Sequence, residues 1–362
     1  LGISTAAGAP GRVLFDLNPD YKNNYAIQAN FGIQRQIAGN MSIEVAYQMY
    51  HGLHIQQPVG LNYCEAGTAG CPAANAAQQA ALLTRDPRLG PLYRVCSKGV
   101  AGTADTNCGR VNDSGITQFT DYQSRGTSIY HGMTASLTKR FSDHFQFQAN
   151  YTFSKAIDDQ TDFNSAFAPP FPSRLKNERS LSTFDLPHNF VVSGVIETPF
   201  HAGPGSGFVS HVFADITLSP SVFIRSGIPF TLRTGTDING DTRGGTDRLF
   251  YIGRNTGIGP NYRSFNMRVA KMFRFKPDSA MRIEVSVDGS NLFNRTNYAA
   301  VNEILPVTTN AAGQITSLAP DYSAGTVRLT GRKDRDFTKG EPLSFTSAFN
   351  ARQILFGVKF AF

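Results

Sequence analysis

Apolar residues recur at every second position along much of the chain, the period of a strand whose two faces meet different surroundings. "FQFQANYTFSK" (145–155) sets Phe145, Phe147, Ala149, Tyr151 and Phe153 against Gln146, Gln148, Asn150, Thr152 and Ser154. "YAIQANFGIQRQI" (25–37) puts Tyr25, Ile27, Ala29, Phe31 and Ile33 on one face and Gln28, Asn30 and Gln34 on the other. The pattern repeats in "MSIEVAYQM" (41–49), "TSIYHGMTASLTKRF" (127–141) and, more weakly, "HNFVVSGVIETPF" (188–200). It continues in "VFADITLSPSVFIRS" (212–226), "YRSFNMRVAKMFRF" (262–275) and "MRIEVSVDGSNLF" (281–293). The chain ends on "ILFGVKFAF" (354–362), with Ile354, Phe356, Val358, Phe360 and Phe362 on one face. Nine strands are predicted.

The connections sort by length. Short ones fall at 38–40, 142–144, 199–210 and 276–280 and carry turn-forming Gly, Asn, Ser, Asp or Pro. Long polar ones fall at 55–126, 158–186, 227–261 and 294–350. A soluble antiparallel sheet with one dry face also alternates. These strands, at about 10–15 residues, outrun the usual five or six. Glu44 and Glu284 fall near mid-strand on polar faces, where a packed core would make them costly. A wet lumen accepts them. The expected fold is therefore all-β: a transmembrane antiparallel β-barrel of the outer-membrane type, with short periplasmic turns and long extracellular loops. Aromatics near strand ends (Tyr25, Phe141, Phe145, Phe200, Phe273, Phe275, Phe293) suit its interfacial girdles. Bacterial single-chain barrels have even strand numbers, so nine strands predict that residues 1–362 form the C-terminal portion of a larger barrel. The location implied is the bacterial outer membrane, with its lipid and lipopolysaccharide as partners.

Composition agrees. Charged residues are 17% of the 362, against about 25% in soluble domains, and no run approaches the roughly 18 apolar residues of a membrane helix. The net charge of +7 is scattered, and acidic residues interrupt the densest stretch, "GRKDRDFTKG" (331–340). No nucleic-acid partner is expected. "LGISTAAGAPG" has neither the basic start nor the apolar core of a signal peptide, so an upstream leader is expected. Cys64, Cys71, Cys96 and Cys108 all fall in the 55–126 loop, at spacings that fit no common zinc pattern. Disulfides in an oxidising compartment are expected. Three connectivities are possible, and the shortest loops favour Cys64–Cys71 with Cys96–Cys108.

"TDINGDTRGGTD" (236–247) carries Asp237, Asn239 and Asp241 at the 1-3-5 spacing of a calcium loop. Thr242 replaces the glycine at position six and Arg248 stands at position twelve, so a turn-rich polar loop competes with a structural Ca²⁺ site. No cofactor is expected otherwise. Asp185 and His188 in "FDLPHNF" (184–190) could begin a hydrolase site, yet no Gly-x-Ser-x-Gly motif accompanies them. An enzyme is not expected. The dispersed histidines include no H-E-x-x-H pattern.

Several segments carry a family resemblance: "LNPDYKNNYAIQANFGIQRQI" (17–37), "GMTASLTKRFSDHFQFQANYTFSKAIDD" (132–159), "ERSLSTFDLPHNFVVSGVIETPF" (178–200), "GRNTGIGPNYRSFNMRVAKMF" (253–273) and "SVDGSNLFNRTNYAAVN" (286–302). Together with the terminal Phe362 they resemble the barrel of Oar-like TonB-dependent outer-membrane transporters, least so in 55–126. The resemblance implies a barrel of about 22 strands, with a plug and often a carboxypeptidase-regulatory-like domain upstream. It implies coupling to the TonB system through that plug, and Asp/Asn-rich loops near 236–247. The terminal aromatic strand resembles the signal read by the barrel-assembly machinery, with Phe360 and Phe362 engaged and Phe356 and Val358 continuing the lipid-facing stripe. A passive or adhesive surface barrel and a soluble glycan-binding β-protein are the competing functions.

Overall fold

The computed structural model describes residues 12–60, 116–160, 169, 172–200, 207–233, 235, 247–248, 253–274, 281–304, 307–309, 315–318, 326–327, 335–336 and 344–362. In chain order the strands are β1 (Arg12–Leu17), β2 (Tyr25–Ala38), β3 (Met41–Gly60), β4 (Ile116–Ser142), β5 (Phe145–Asp158), β6 (Ser180–Leu181) and β7 (His188–Glu197). A short helix α1 (Phe208–Phe213) precedes β8 (Ile216–Arg225), β9 (Pro229–Phe230), β10 (Gly257–Ile258), β11 (Tyr262–Arg274) and β12 (Arg282–Ser290). Small strands β13 (Tyr298–Asn302), β14 (Val307–Thr309), β15 (Ile315–Leu318), β16 (Thr326–Val327), β17 (Arg335–Asp336) and β18 (Ser344–Ala348) lead to β19 (Gln353–Ala361).

One antiparallel path runs β19-β12-β11-β8-β7-β5-β4-β3-β2, with β1 added parallel to β4 and β6 added to β5. Its nine strands coincide with the nine periodic segments. Register keeps the apolar residues in rows across strands. Ile33, Val45, Ala135, Tyr151, Phe190 and Ile224 are successive partners in one row. Phe145, Ile196, Leu218, Val269, Val287 and Phe356 form another. A slip of one residue would turn any of these strands inside out.

That apolar face is bare. Phe31 is 66% exposed and Phe356 80%, whereas the buried apolar residues among those described are few: Val59, Ala214, Phe230, Leu232 and Ala270. Leaving such a face in water forgoes about 1.5–3 kcal/mol per large side chain. Lipid removes that cost. The opposite face carries Gln28, Asn30, Glu44, Thr134, Asn150, Ser193, Asn266, Glu284 and Lys359. No helix of the described residues is long and apolar enough to cross a membrane.

At one end the turns are tight. Gly39 and Asn40 join β2 to β3, and Asp143 and His144 join β4 to β5 with φ of 51° and 66°. Two successive left-handed residues make a type I′ turn, whose twist matches the hairpin it closes. Lys139 caps that hairpin, its Nζ donating to the carbonyls of Ser142 (2.8 Å) and Phe145 (3.1 Å).

The structure corrects two boundaries. The expected 55–126 loop begins and ends as strand: β3 runs to Gly60 and β4 starts at Ile116, with Gln57 opposite Gln123 and Gly60 opposite Thr120. His54 (φ 56°) marks an irregularity between Gly52 and Ile55, and the hairpin beyond it outruns β2. Pro58 is tolerated there because β3 has lost its second neighbour. Nothing forces apolar alternation on a hairpin that stands clear of lipid, so its sequence gives no period-two signal. The second correction concerns 212–226. Val212 lies in α1, and β8 starts only at Ile216, after Asp215 turns the chain at φ 52°. The helix closes on itself by Ala214 N–H donating to Ser210 O (2.9 Å). Likewise, the expected 294–350 loop contains β13 paired with β18 and two further short hairpins, β14–β15 and β16–β17.

Candidate functional site

Two polar regions stand out, one on the polar face of the sheet and one at the end that bears the long connections. On the sheet, β11 presents Arg268 between two carboxylates of β12. Its Nη2 donates to Glu284 Oε1 at 2.7 Å and its Nη1 lies 3.3 Å from both oxygens of Asp288. Lys359 of β19 stands opposite Glu284 in register. The charges alternate in sign across three strands, which favours a hydrated surface over a packed one. Such a face can contact polar cargo or a polar protein surface.

The second region ties connections to strand ends. Glu178 is fully buried, and its Oε1 accepts from Arg248 Nη2 at 2.5 Å. Arg254 donates Nε to Glu178 O (2.9 Å) and Nη2 to the carbonyl and carboxylate of Asp158, at the end of β5. Asn255 donates Nδ2 to Leu181 O (2.7 Å), and its backbone N–H donates to Thr231 Oγ1 (3.0 Å). Ser180 Oγ donates to Arg254 O. Two cations with two carboxylates, all about nine-tenths buried or more, are stable only because each is paired and hydrogen-bonded. The result pins residues 178–182, 231, 248 and 253–255 above β5.

Around it the contacts continue. Asp185 is buried and accepts from Ala156 N–H (2.6 Å); desolvation pushes its carboxyl pKa up, against smaller opposing effects of that hydrogen bond and of Lys155. Thr127 donates its N–H and hydroxyl to Asp159, which also pairs with Arg179 at 3.4 Å. Arg233 bridges to Glu303 and donates its backbone N–H to the Glu303 carbonyl (2.8 Å). Among the described glycines Gly227 admits the closest approach: a Cβ there would lie 1.7 Å from the Gly259 carbonyl oxygen.

The expected site residues fare unequally. Phe356, Val358 and Phe360 point out from the apolar face of β19, and Phe362 follows it, 99% exposed. Asp185 and His188 are engaged separately: His188 Nδ1 is 2.8 Å from Tyr151 Oη, beside the apolar face. Asp237, Asn239 and Asp241 lie outside the described residues, as do Cys64, Cys71, Cys96 and Cys108. Arg248, the twelfth position of the expected calcium loop, is instead the buried partner of Glu178. Among the described residues no group of three or more metal-binding side chains comes together. The Glu178–Arg248–Arg254–Asp158 network was not anticipated. Its only trace in the sequence is ionisable residues inside the otherwise apolar and small-residue segments 178–190 and 247–259.

A family model described as outer membrane beta barrel domain matches residues 2–255. No curated protein matches by sequence. Among solved structures, the outer membrane transporter YddB from Escherichia coli is 9% identical, with TM-score 0.43, over 77% of this chain and 30% of its own. FpvA of P. aeruginosa, bound to heterologous pyoverdines, is 10% identical, with TM-score 0.42, over 94% and 28%. The ferric-catecholate import receptor Fiu from E. coli K12 is 11% identical, with TM-score 0.41, over 95% and 28%. The chain spans less than a third of the length of these three proteins. At such identities and TM-scores the likeness carries no argument about cargo or partner.

Proposed function

Because this chain belongs to the outer membrane beta barrel domain family and lies in the bacterial outer membrane, we propose that it is wall and extracellular loops of an Oar-like TonB-dependent transporter. The observation that carries the reading is the asymmetry of the two ends. The shorter connections, two of them two-residue turns, close one end, while the other bears long connections pinned by buried ion pairs above a sheet with a charged polar face. Outer-membrane barrels turn short in the periplasm and long outside, so the pinned network faces the exterior. There it would hold the loops that meet cargo. The Arg268 cluster would face the lumen and, in the whole protein, a plug. Lipid and lipopolysaccharide would surround the apolar face, and the assembly machinery would read Phe360 and Phe362. Catalysis, a cofactor and nucleic acid have no part in this reading.

The test is made on the full-length protein in cells. Photo-cross-linkers in its periplasmic N-terminal region should trap TonB, and a protonophore should abolish cargo-independent plug movements read by cysteine accessibility. An assembled barrel that never cross-links TonB would leave a passive or adhesive surface barrel.

A further inference from the structure

Where β3, β4, β5 and β7 approach the long-connection end, the apolar face turns basic. His131 of β4 stands directly opposite Lys155 of β5, and Phe153 stands opposite His188 of β7. All three basic side chains are exposed. Among the described residues Lys155 makes no ion pair. The nearby carboxyl of Asp185 is buried and held by Ala156, and Asp159 is already paired with Arg179. Asp185 feels Lys155 through space, but no carboxylate among the described residues closes an ion pair with it.

The two imidazoles are also aimed. Tyr47 Oη lies 2.8 Å from His131 Nδ1, and Tyr151 Oη lies 2.8 Å from His188 Nδ1. Each ring stacks on its tyrosine, at 24° and 18° between planes. With Nδ1 engaged by a tyrosine hydroxyl, Nε2 donates outward in the protonated ring, and in the neutral ring whenever the hydroxyl is the donor to Nδ1. The height fits a head group. Ten residues separate Lys155 from Phe145 at the tight turn, about 33 Å of strand and about 25 Å of height at a tilt near 40°, the depth of an outer-membrane apolar band.

We propose that His131, Lys155 and His188, braced by Tyr47, Tyr151 and Phe153, bind the phosphate of a phosphorylated glycolipid in the outer leaflet. The proposal rests on the orientation argued above, with the long connections outside. Charge-assisted hydrogen bonds from Lys155 Nζ and the two Nε2 atoms would hold the phosphate, while the acyl chains lie along the apolar rows below.

The full-length protein is placed in phosphatidylcholine nanodiscs doped with lipid A, and bound lipid A is counted by native mass spectrometry. Wild type should retain bisphosphorylated lipid A at least about tenfold better than its dephosphorylated form. Lys155→Gln with His188→Gln should lose that preference, and Lys139→Gln, at the opposite turn, should keep it. Equal retention of the two lipids by wild type overturns the site, whatever the variants do. So does an unchanged preference in the double variant. Protease on intact cells tests the orientation separately: cutting in the 198–207 connection and not near 116–126 would overturn that reading, with or without lipid A binding.

Discussion

Arg248 reaches Glu178 across 70 residues of chain and donates to it at 2.5 Å, both side chains almost wholly removed from solvent. A pair so deep holds two long connections to each other, and its value shows when one partner is lost. Glu178→Ala leaves the Arg248 guanidinium buried without its carboxylate and should cost about 3–5 kcal/mol. Replacing both, Glu178→Leu with Arg248→Met, should cost less than either single change. Urea unfolding in detergent, followed by proteolysis of the connections, reads both. A double variant worse than the singles would mean that the pair does more than neutralise itself.

Gly227 and Gly259 meet backbone to backbone, joined at their edges by Gly259 N–H donating to Ile228 O (2.9 Å) and by Asn261 Oδ1 accepting from Gly227 N–H (3.0 Å). Gly227→Ala would drive its methyl into the Gly259 carbonyl and should cost about 1–3 kcal/mol. Gly259→Ala, whose Cβ would stop 3.1 Å from Ile228 O, should be milder. The order of proteolytic susceptibility around 227–233 checks this, and the reverse order contradicts it.

Asp185 gives a pH dependence with a definite sign. Burial raises its carboxyl pKa in the folded protein. A proton held more tightly folded than unfolded contributes stability below the ordinary carboxylate pKa, and that contribution is lost as pH rises through the raised value. Amide exchange at Ala156, corrected for its intrinsic rate, should therefore lose protection over that window. Asp185→Asn should flatten the response while keeping an acceptor for the same N–H. A slope that survives the substitution belongs to another group.

The end of β19 separates packing from signalling. Phe356 contributes an apolar row partner to Val287, whereas Phe362 follows the last paired residue, Ala361. Deleting Phe362 should lower the amount of assembled, heat-modifiable protein more than Phe356→Ala does, without changing the stability of what assembles. Equal assembly of truncated and intact chains would reduce Phe362 to an interfacial anchor.

The cysteine pairing can be tested without structure. Thiol labelling of the unfolded, unreduced protein should find none of Cys64, Cys71, Cys96 and Cys108 reactive. Four labelled thiols would refute both the disulfides and the exterior position of the segment that carries them.

The wall was legible because lipid imposes a rule on every second residue. From Phe31 to Phe360 that rule set strands, faces and register at once. Where lipid stops, the rule stops. The hairpin extension at 55–60 and 116–126 is held by ladder bonds that any side chain permits, and α1 interrupts a run whose alternation at Val212 and Ala214 was accidental. The network around Glu178 was harder still. Arg254 lies 96 residues from Asp158, and no local pattern announces that two such charges will meet. The histidines looked dispersed in sequence because register, not proximity along the chain, brings His131 and His188 to one level.

Every long strand of the wall lies beside its predecessor and successor in the chain. Little loop entropy is spent on closing a pair joined by a two-residue turn. The hairpin is thus the module in which such a wall can be copied, gained or dropped. Two strands can be added or deleted at a tight turn without changing the path of the rest, while the long connections diverge at their own pace.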